Sequence, residues 1–232
     1  MAEQTILVVE DDEEIRDIIR VYLEAHQFRV IGAGRGDEAV RLVETMQPDL
    51  LILDVLLPGK DGFEVCKEVR AMSSAPILFL SCKKDEQDKI TGLELGGDDY
   101  ITKPFSPNEL IARVKANLRR PHLSGEAPNR MRFGAVELDP ASRSVTVNRS
   151  EVTLSRKEFD LLYYLARHPG RTVTHEELFR EIWDQEMIND TRTIIVHVSN
   201  LRKKIETDPA NPKHIINVHG VGYKFILPLQ KV

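Results

Sequence analysis

The chain has 232 residues and a mass of 26.4 kDa, room for one large domain or two ordinary ones; 41% hydrophobic and 30% charged residues suit packed cores rather than disorder. Only Cys66 and Cys82 occur, which excludes a disulfide scaffold and a cysteine-based zinc site, and the longest apolar stretches, such as Leu50–Leu57, are too short to cross a bilayer. The net charge of −5 divides unevenly, −7 over residues 1–120 and +2 over 121–232, so the acidic half is expected to handle cations or a basic partner and the other half to meet nucleic acid.

In chain order, the first half alternates strand and helix. Thr5–Glu10 reads as a buried strand, and Ile15, Ile18, Ile19, Tyr22 and Leu23 share one helical face. A strand at Phe28–Ala33, a helix at Asp37–Met46 and a doubly apolar strand at Leu50–Asp54 follow. Next come a helix at Phe63–Met72, a strand at Pro76–Ser81, a helix near Glu86–Leu95 and a short strand at Tyr100–Thr102. A final helix is marked by Leu110, Ile111, Val114 and Leu118. Five βα units in succession predict an α/β, doubly wound, five-stranded parallel sheet of the flavodoxin-like kind. Periodicity then lapses over 121–130, where Pro, Gly, Ser and Asn predict a linker between a domain at 1–120 and a second at 131–232.

The second half has a different grammar. Short strands are expected at Met131–Leu138 and Ser144–Val147, then helices at Ser155–Arg167, Thr174–Trp183 and Thr191–Glu206. Ser155 with Glu158, and Thr174 with Glu177, carry capping-box spacing. His214–Val218 and Gly222–Leu227 read as a closing β-hairpin.

Ligands of an open parallel sheet bind beyond the carboxyl ends of its strands. Glu10, Asp11 and Asp12 end strand 1, Asp54 ends strand 3, Ser81 ends strand 4, and Lys103 follows strand 5. Crowded carboxylates repel unless a cation neutralises them, and an oxygen-lined site suits Mg²⁺ shared with a phosphate. Lys103 and the Ser81 hydroxyl suit phosphoryl oxygens. Asp54, central in the set, is the candidate nucleophile that would become an aspartyl phosphate.

The Val9-Glu10-Asp11-Asp12 start, the Asp54–Gly62 stretch, Phe79-Leu80-Ser81, Gly97–Tyr100 and Lys103-Pro104-Phe105 resemble the receiver domain of bacterial two-component response regulators. The resemblance spans residues 5–120 and implies that Asp54 accepts phosphate from a sensor histidine kinase. It implies Mg²⁺ held by Asp11, Asp54 and the Leu56 carbonyl, with Glu10 acting through water, and a phosphoryl partner in Lys103. It also implies a cis Lys103–Pro104 peptide and a switch pair, Ser81 and Tyr100. Cys82, after the switch hydroxyl, and Leu56, where Met is common, depart from the usual pattern.

On Thr191–Glu206, Ile194, Val198, Leu201 and Ile205 form an apolar stripe. Arg192, Val196, Ser199 and Lys203 are expected opposite it, with Asn200 alongside, and Arg202, Lys203 and Lys204 cluster near the end. Polar and small apolar residues for base edges, with cations for phosphates, describe a recognition helix; Val196 would suit a thymine methyl group. Leu154–Phe159, Leu178 to Trp183, Arg192-Thr193, Val196-His197-Val198, Leu201–Lys204 and Gly220–Tyr223 resemble the winged helix-turn-helix effector of the OmpR/PhoB family, an α+β domain. That resemblance covers about 131–228. It implies major-groove reading of double-stranded promoter DNA by the helix, through Arg192, Thr193, Val196, His197, Ser199, Asn200, Lys203 and Lys204. Minor-groove contact would come from the hairpin wing, with His219 and Tyr223, and the loop between Trp183 and Asp190 would face RNA polymerase. Ser199 and Asn200 stand where some members are basic, Ile195 where an acid is frequent, and His219 where the wing often carries Arg.

The family likeness also implies a homodimer of the phosphorylated form, with Lys89, Asp98, Asp99, Glu109, Arg113 and Arg120 supplying ion pairs. The expected function is a phosphorylation-switched transcription regulator in the cytoplasm, with no membrane partner and no enzyme activity of its own. A Mg²⁺-dependent phosphohydrolase using Asp54 is the rival reading. The haloacid-type pattern places a general acid two residues after the nucleophile, and position 56 is Leu.

Overall fold

The computed structural model describes residues 3–81, 86–119, 130–183 and 191–227. The chain forms two compact units, Met1–Arg119 and Arg120–Val232.

In the first unit, β1 (Thr5–Val9), β2 (Arg29–Ala33), β3 (Leu50–Asp54), β4 (Ile77–Ser81) and β5 (Asp99–Thr102) form one parallel sheet in the order β2-β1-β3-β4-β5. The winding reverses between β1 and β3, which opens a crevice at their carboxyl ends. The helices are α1 (Glu13–Ala25), α2 (Gly36–Met46), α3 (Gly62–Arg70), α4 (Glu86–Glu94) and α5 (Pro107–Leu118). Ile6, Ile52 and Leu78 meet Ile19 of α1 and Val114 of α5 in one apolar layer. Leu7, Leu53 and Phe79 meet Val43 of α2 and Val65 of α3 in a second layer. A strand covered on both faces favours apolar residues along its whole length, and β3 and β4 are buried throughout for that reason.

Short polar side chains start the helices and hold the turns beside the crevice. Asp12 caps α1 by accepting from the amides of Glu14 and Ile15. Asp61 and Glu64 form a reciprocal capping box on α3, and Ser106 caps α5 ahead of Pro107. Gly62 has no room for a side chain: a Cβ there would lie 2.1 Å from the Asp54 carbonyl oxygen. This close approach draws the start of α3 against the end of β3.

The second unit is α+β. Strands β6 (Met131–Phe133), β7 (Val136–Asp139), β8 (Ser144–Val147) and β9 (Ser150–Glu151) form an antiparallel sheet in sequence order. Then come α6 (Arg156–Arg167), β10 (Thr172–Thr174), α7 (His175–Trp183), α8 (Arg192–Ile205), β11 (Ile215–Val218) and β12 (Gly222–Phe225). The hairpin β11–β12 gains β10 as a third strand, in the order β10-β12-β11. Ser155 and Glu158 form the expected capping box on α6. At α7, Thr174 Oγ1 accepts from the Glu177 amide, while the Glu177 carboxylate accepts from Tyr164 and Arg171. The single strand expected over Met131–Leu138 is two strands, because Gly134 turns the chain at a φ of +58°.

Candidate functional site

The carboxyl ends of β1 and β3 bring Glu10 and Asp54 together, and the residue after β5 reaches them. Lys103 Nζ donates to Glu10 Oε2 and to Asp54 Oδ2, each at 2.6 Å. Glu10 and Asp54 are both buried. Asp54 Oδ1 accepts from the Leu56 amide at 3.1 Å, which orients the carboxylate. Asp11 stands exposed at the rim, and oxygen atoms of Glu10, Asp11 and Asp54 lie within 4.8 Å of one another. The Lys103–Pro104 peptide is cis.

Three carboxylates against one ammonium leave the crevice negative. Burial, with the Asp54 charge beside it, pushes Glu10 up to about 7, although its hydrogen bond from Lys103 pulls the other way. Burial opposes the charge on Lys103, but the hydrogen bonds and charges of Asp54 and Glu10 outweigh it and raise its pKa above the ordinary lysine value. Hard oxygen donors with excess negative charge fit a divalent cation. Ser81 is buried at the end of β4. Tyr100 of β5 is buried too, its ring centroid 6.4 Å from that of Phe79.

One supporting residue carried no signal in the sequence. Arg16 of α1 donates from Nη1 to the carbonyl oxygens of Glu10 at 2.6 Å and Asp11 at 3.5 Å. Its stem lies over Gly32, where an added Cβ would come within 3.3 Å of Arg16 Cδ. Only the fold shows that α1 turns this side chain back over the acidic pair.

The charged set on α4, β5 and α5 needs a correction. Asp98 is fully buried, ion-paired with Arg70 Nη2 at 2.6 Å and accepting from the Ile77 amide, so it does not belong to an exposed face. Asp99 is also buried and pairs with Arg113 at 2.8 Å; Arg113 reaches Glu109 as well, at 3.1 Å. Lys89 is half-buried. Arg120, Cys82 and residues 184–190 lie outside the described residues.

The second unit sorts the residues expected to meet DNA. Helix α8 packs on both α6 and α7, and two neighbours cover more of it than one would. Beyond Ile194, Val198, Leu201 and Ile205, the residues Thr193, Val196, His197 and Asn200 are also buried, the His197 ring centroid 5.3 Å from that of Trp183 in α7. Val196 is 7% exposed and Asn200 6%, so the expectation that they stand outward is overturned; Ile195, at 47%, stands outward instead. Arg192 and Ser199 are half-buried and Lys203 is exposed on the same side. Lys204 turns inward to Glu158 at 2.6 Å, and Arg202 donates to the Ile215 carbonyl and lies over the Tyr223 ring. Tyr223 is buried between Arg202 and His175, whereas His219 is exposed at the hairpin turn.

The family model of the response regulator receiver domain matches residues 6–115, and that of the C-terminal domain of transcriptional regulatory proteins matches 149–225. The sensory transduction protein RegX3 of Mycolicibacterium smegmatis is 43% identical over 223 residues, covering 95% of this chain and 98% of the relative. The crystal structure of the response regulator DrrB, an OmpR/PhoB homolog from Thermotoga maritima, is 31% identical with a TM-score of 0.50, over 97% of this chain and 99% of that one. A mutant RitR structure, 23% identical over 96% of this chain and 98% of that one, shares the fold with a TM-score of 0.79. A receiver sheet with this acidic crevice, followed by a winged helix, defines a two-component transcriptional regulator. The chain belongs to the OmpR/PhoB family of response regulators. Among the described residues, no helix is long and apolar enough to cross a membrane.

Proposed function

We propose that Asp54 is the phosphoacceptor of this regulator and that its phosphorylation drives dimerisation and promoter binding. The observation that carries the reading is the Lys103 ammonium held between buried Asp54 and Glu10, with Asp11 at the rim. In the transfer, an Asp54 carboxylate oxygen attacks the phosphorus of a kinase phosphohistidine. The P–N bond breaks, and its electron pair leaves with the imidazole. Lys103 then holds charge on the phosphoryl oxygens, and the Ser81 hydroxyl donates to one of them. Asp11, Asp54 and the Leu56 carbonyl would hold Mg²⁺, with Glu10 acting through water; when bound, it supplies the charge that offsets the carboxylates and the incoming phosphoryl group.

The receiver occupies 1–120 and the effector 131–232, joined by a linker at 121–130. The chain works in the cytoplasm as a regulator, with a sensor kinase, double-stranded promoter DNA and RNA polymerase as partners. The dimer forms through α4, β5 and α5, where Lys89, Glu109 and Arg113 set register more than affinity. Arg192, Ser199 and Lys203 of α8, and His219 of the wing, face the DNA. Mass spectrometry after incubation with Mg²⁺ and a small phosphodonor tests the central step. One phosphate is expected on the wild-type chain and none on Asp54→Asn; phosphate on that variant overturns the assignment.

A further inference from the structure

Helix α8 presents an outward stripe of Arg192, Ile195, Ser199 and Lys203, spaced three, four and four residues apart. Ile195 is the anomaly in it. The large apolar residues exposed in the described part of the effector are Ile195, Val221 and Leu227. The first lies on the helix read as the DNA reader, and the second in the turn of the wing. A β-branched residue on an open helix face has weaker helix propensity than an ordinary long polar one and leaves apolar surface in water. The effector core takes Ile194 and Val198 from this part of α8 and does not include Ile195.

We propose that Ile195 contacts the 5-methyl group of a thymine in the major groove, and so sets base preference at one position of each half-site. The inference rests on the reading of α8 as the recognition helix. Thymine alone among the bases offers a methyl group in that groove. The charge around Ile195 selects the occupant. Arg192 lies one turn before it and Lys203 two turns after, and no acid occurs from Thr191 to Ile205. Such a surface repels a second copy of itself and attracts a phosphate backbone, which would seat the helix with Ile195 against base edges. Val196, the other candidate for a methyl contact, is only 7% exposed.

The test uses a duplex selected from a random pool by the phosphorylated full-length chain, with each thymine replaced in turn by uracil, which lacks only the methyl group. For the wild type, uracil at one position per half-site should weaken binding about fourfold, the equivalent of one buried methylene. Ile195→Ala should bind the thymine and uracil duplexes alike. Ile195→Asp should move the preference at that position to cytosine, whose N4 amino group donates to a carboxylate. Circular dichroism of each variant confirms its fold. Wild-type indifference to every uracil, or methyl discrimination that survives Ile195→Ala, overturns the proposal while leaving DNA binding intact. Failure of the wild type to select any duplex overturns the recognition-helix reading and this inference with it. Reduced self-association of Ile195→Asp without DNA would make the stripe a protein contact, and would also overturn it.

Discussion

In the receiver, Lys103 is shared by two buried carboxylates with Asp11 close by; in the effector, buried Glu158 and Asp160 each have a cation of their own, and buried Glu206 accepts from the amides of Lys213, His214 and Ile215. Glu158 takes Lys204 and the Ser155 amide, and Asp160 takes Arg143, whose guanidinium also covers the Phe159 ring at 4.4 Å. A matched pair has satisfied its charges at home and acts as a brace. A cluster with surplus carboxylate is incomplete until positive charge arrives. Buried charge by itself therefore does not identify a site in this chain, whereas unbalanced buried charge at the mouth of a sheet does.

Removing the cation from the brace should have the largest effect. Lys204→Met strands Glu158, which is almost wholly buried, and should cost the effector about 3 kcal/mol. Trp183 is the only tryptophan, so its fluorescence during denaturant titration reports the effector alone. An unchanged midpoint would show that Glu158 does not depend on its cation.

The receiver should respond with the opposite sign. Asp54→Asn removes one surplus carboxylate and should raise receiver stability by about 1 kcal/mol without divalent cations, as a functional site gives up strain when its charge is removed. Mg²⁺ should then stabilise the wild type far more than the variant, because it binds the folded acidic cluster. Thermal unfolding followed by calorimetry, with and without Mg²⁺, checks both. A lower melting temperature for the variant in the cation-free arm would mean that Lys103 needs Asp54 more than Asp54 burdens the site.

The receiver crevice was more legible in the sequence than the DNA face, for a physical reason. A parallel sheet gathers its carboxyl ends by topology, so strand ends suffice to bring Glu10, Asp54 and Lys103 together. Helical periodicity locates only the deepest stripe of α8. Which flanking residues are covered depends on the tertiary packing around the helix, and there Val196 and Asn200 are buried and Ile195 is exposed. Asp98 escaped for a similar reason: its partner Arg70 is 28 residues away, and no spacing rule links the end of α3 to the approach to β5. Strands β9 and β10, two and three residues long, are too short to show alternation.

The smallest expected effects separate the adjacent lysines of α8. Lys203 is exposed on the stripe with Ile195, whereas Lys204 is held by Glu158. A cation at a phosphate releases counterions on binding, so its loss should lower the salt dependence without altering base preference. Lys203→Ala should reduce the slope of log affinity against log salt by about 0.9 per site and weaken all duplexes alike. Its unfolding midpoint should correspond to a stability within about 0.5 kcal/mol of wild type. Lys204→Met should do the reverse, losing stability while nearly keeping the slope. Binding titrations over a salt series, on selected and random duplexes, separate the two. If Lys204→Met lowers the slope and Lys203→Ala does not, the side of α8 that meets DNA is the one packed on α6 in the free protein, and the helix must shift within the effector before it can bind.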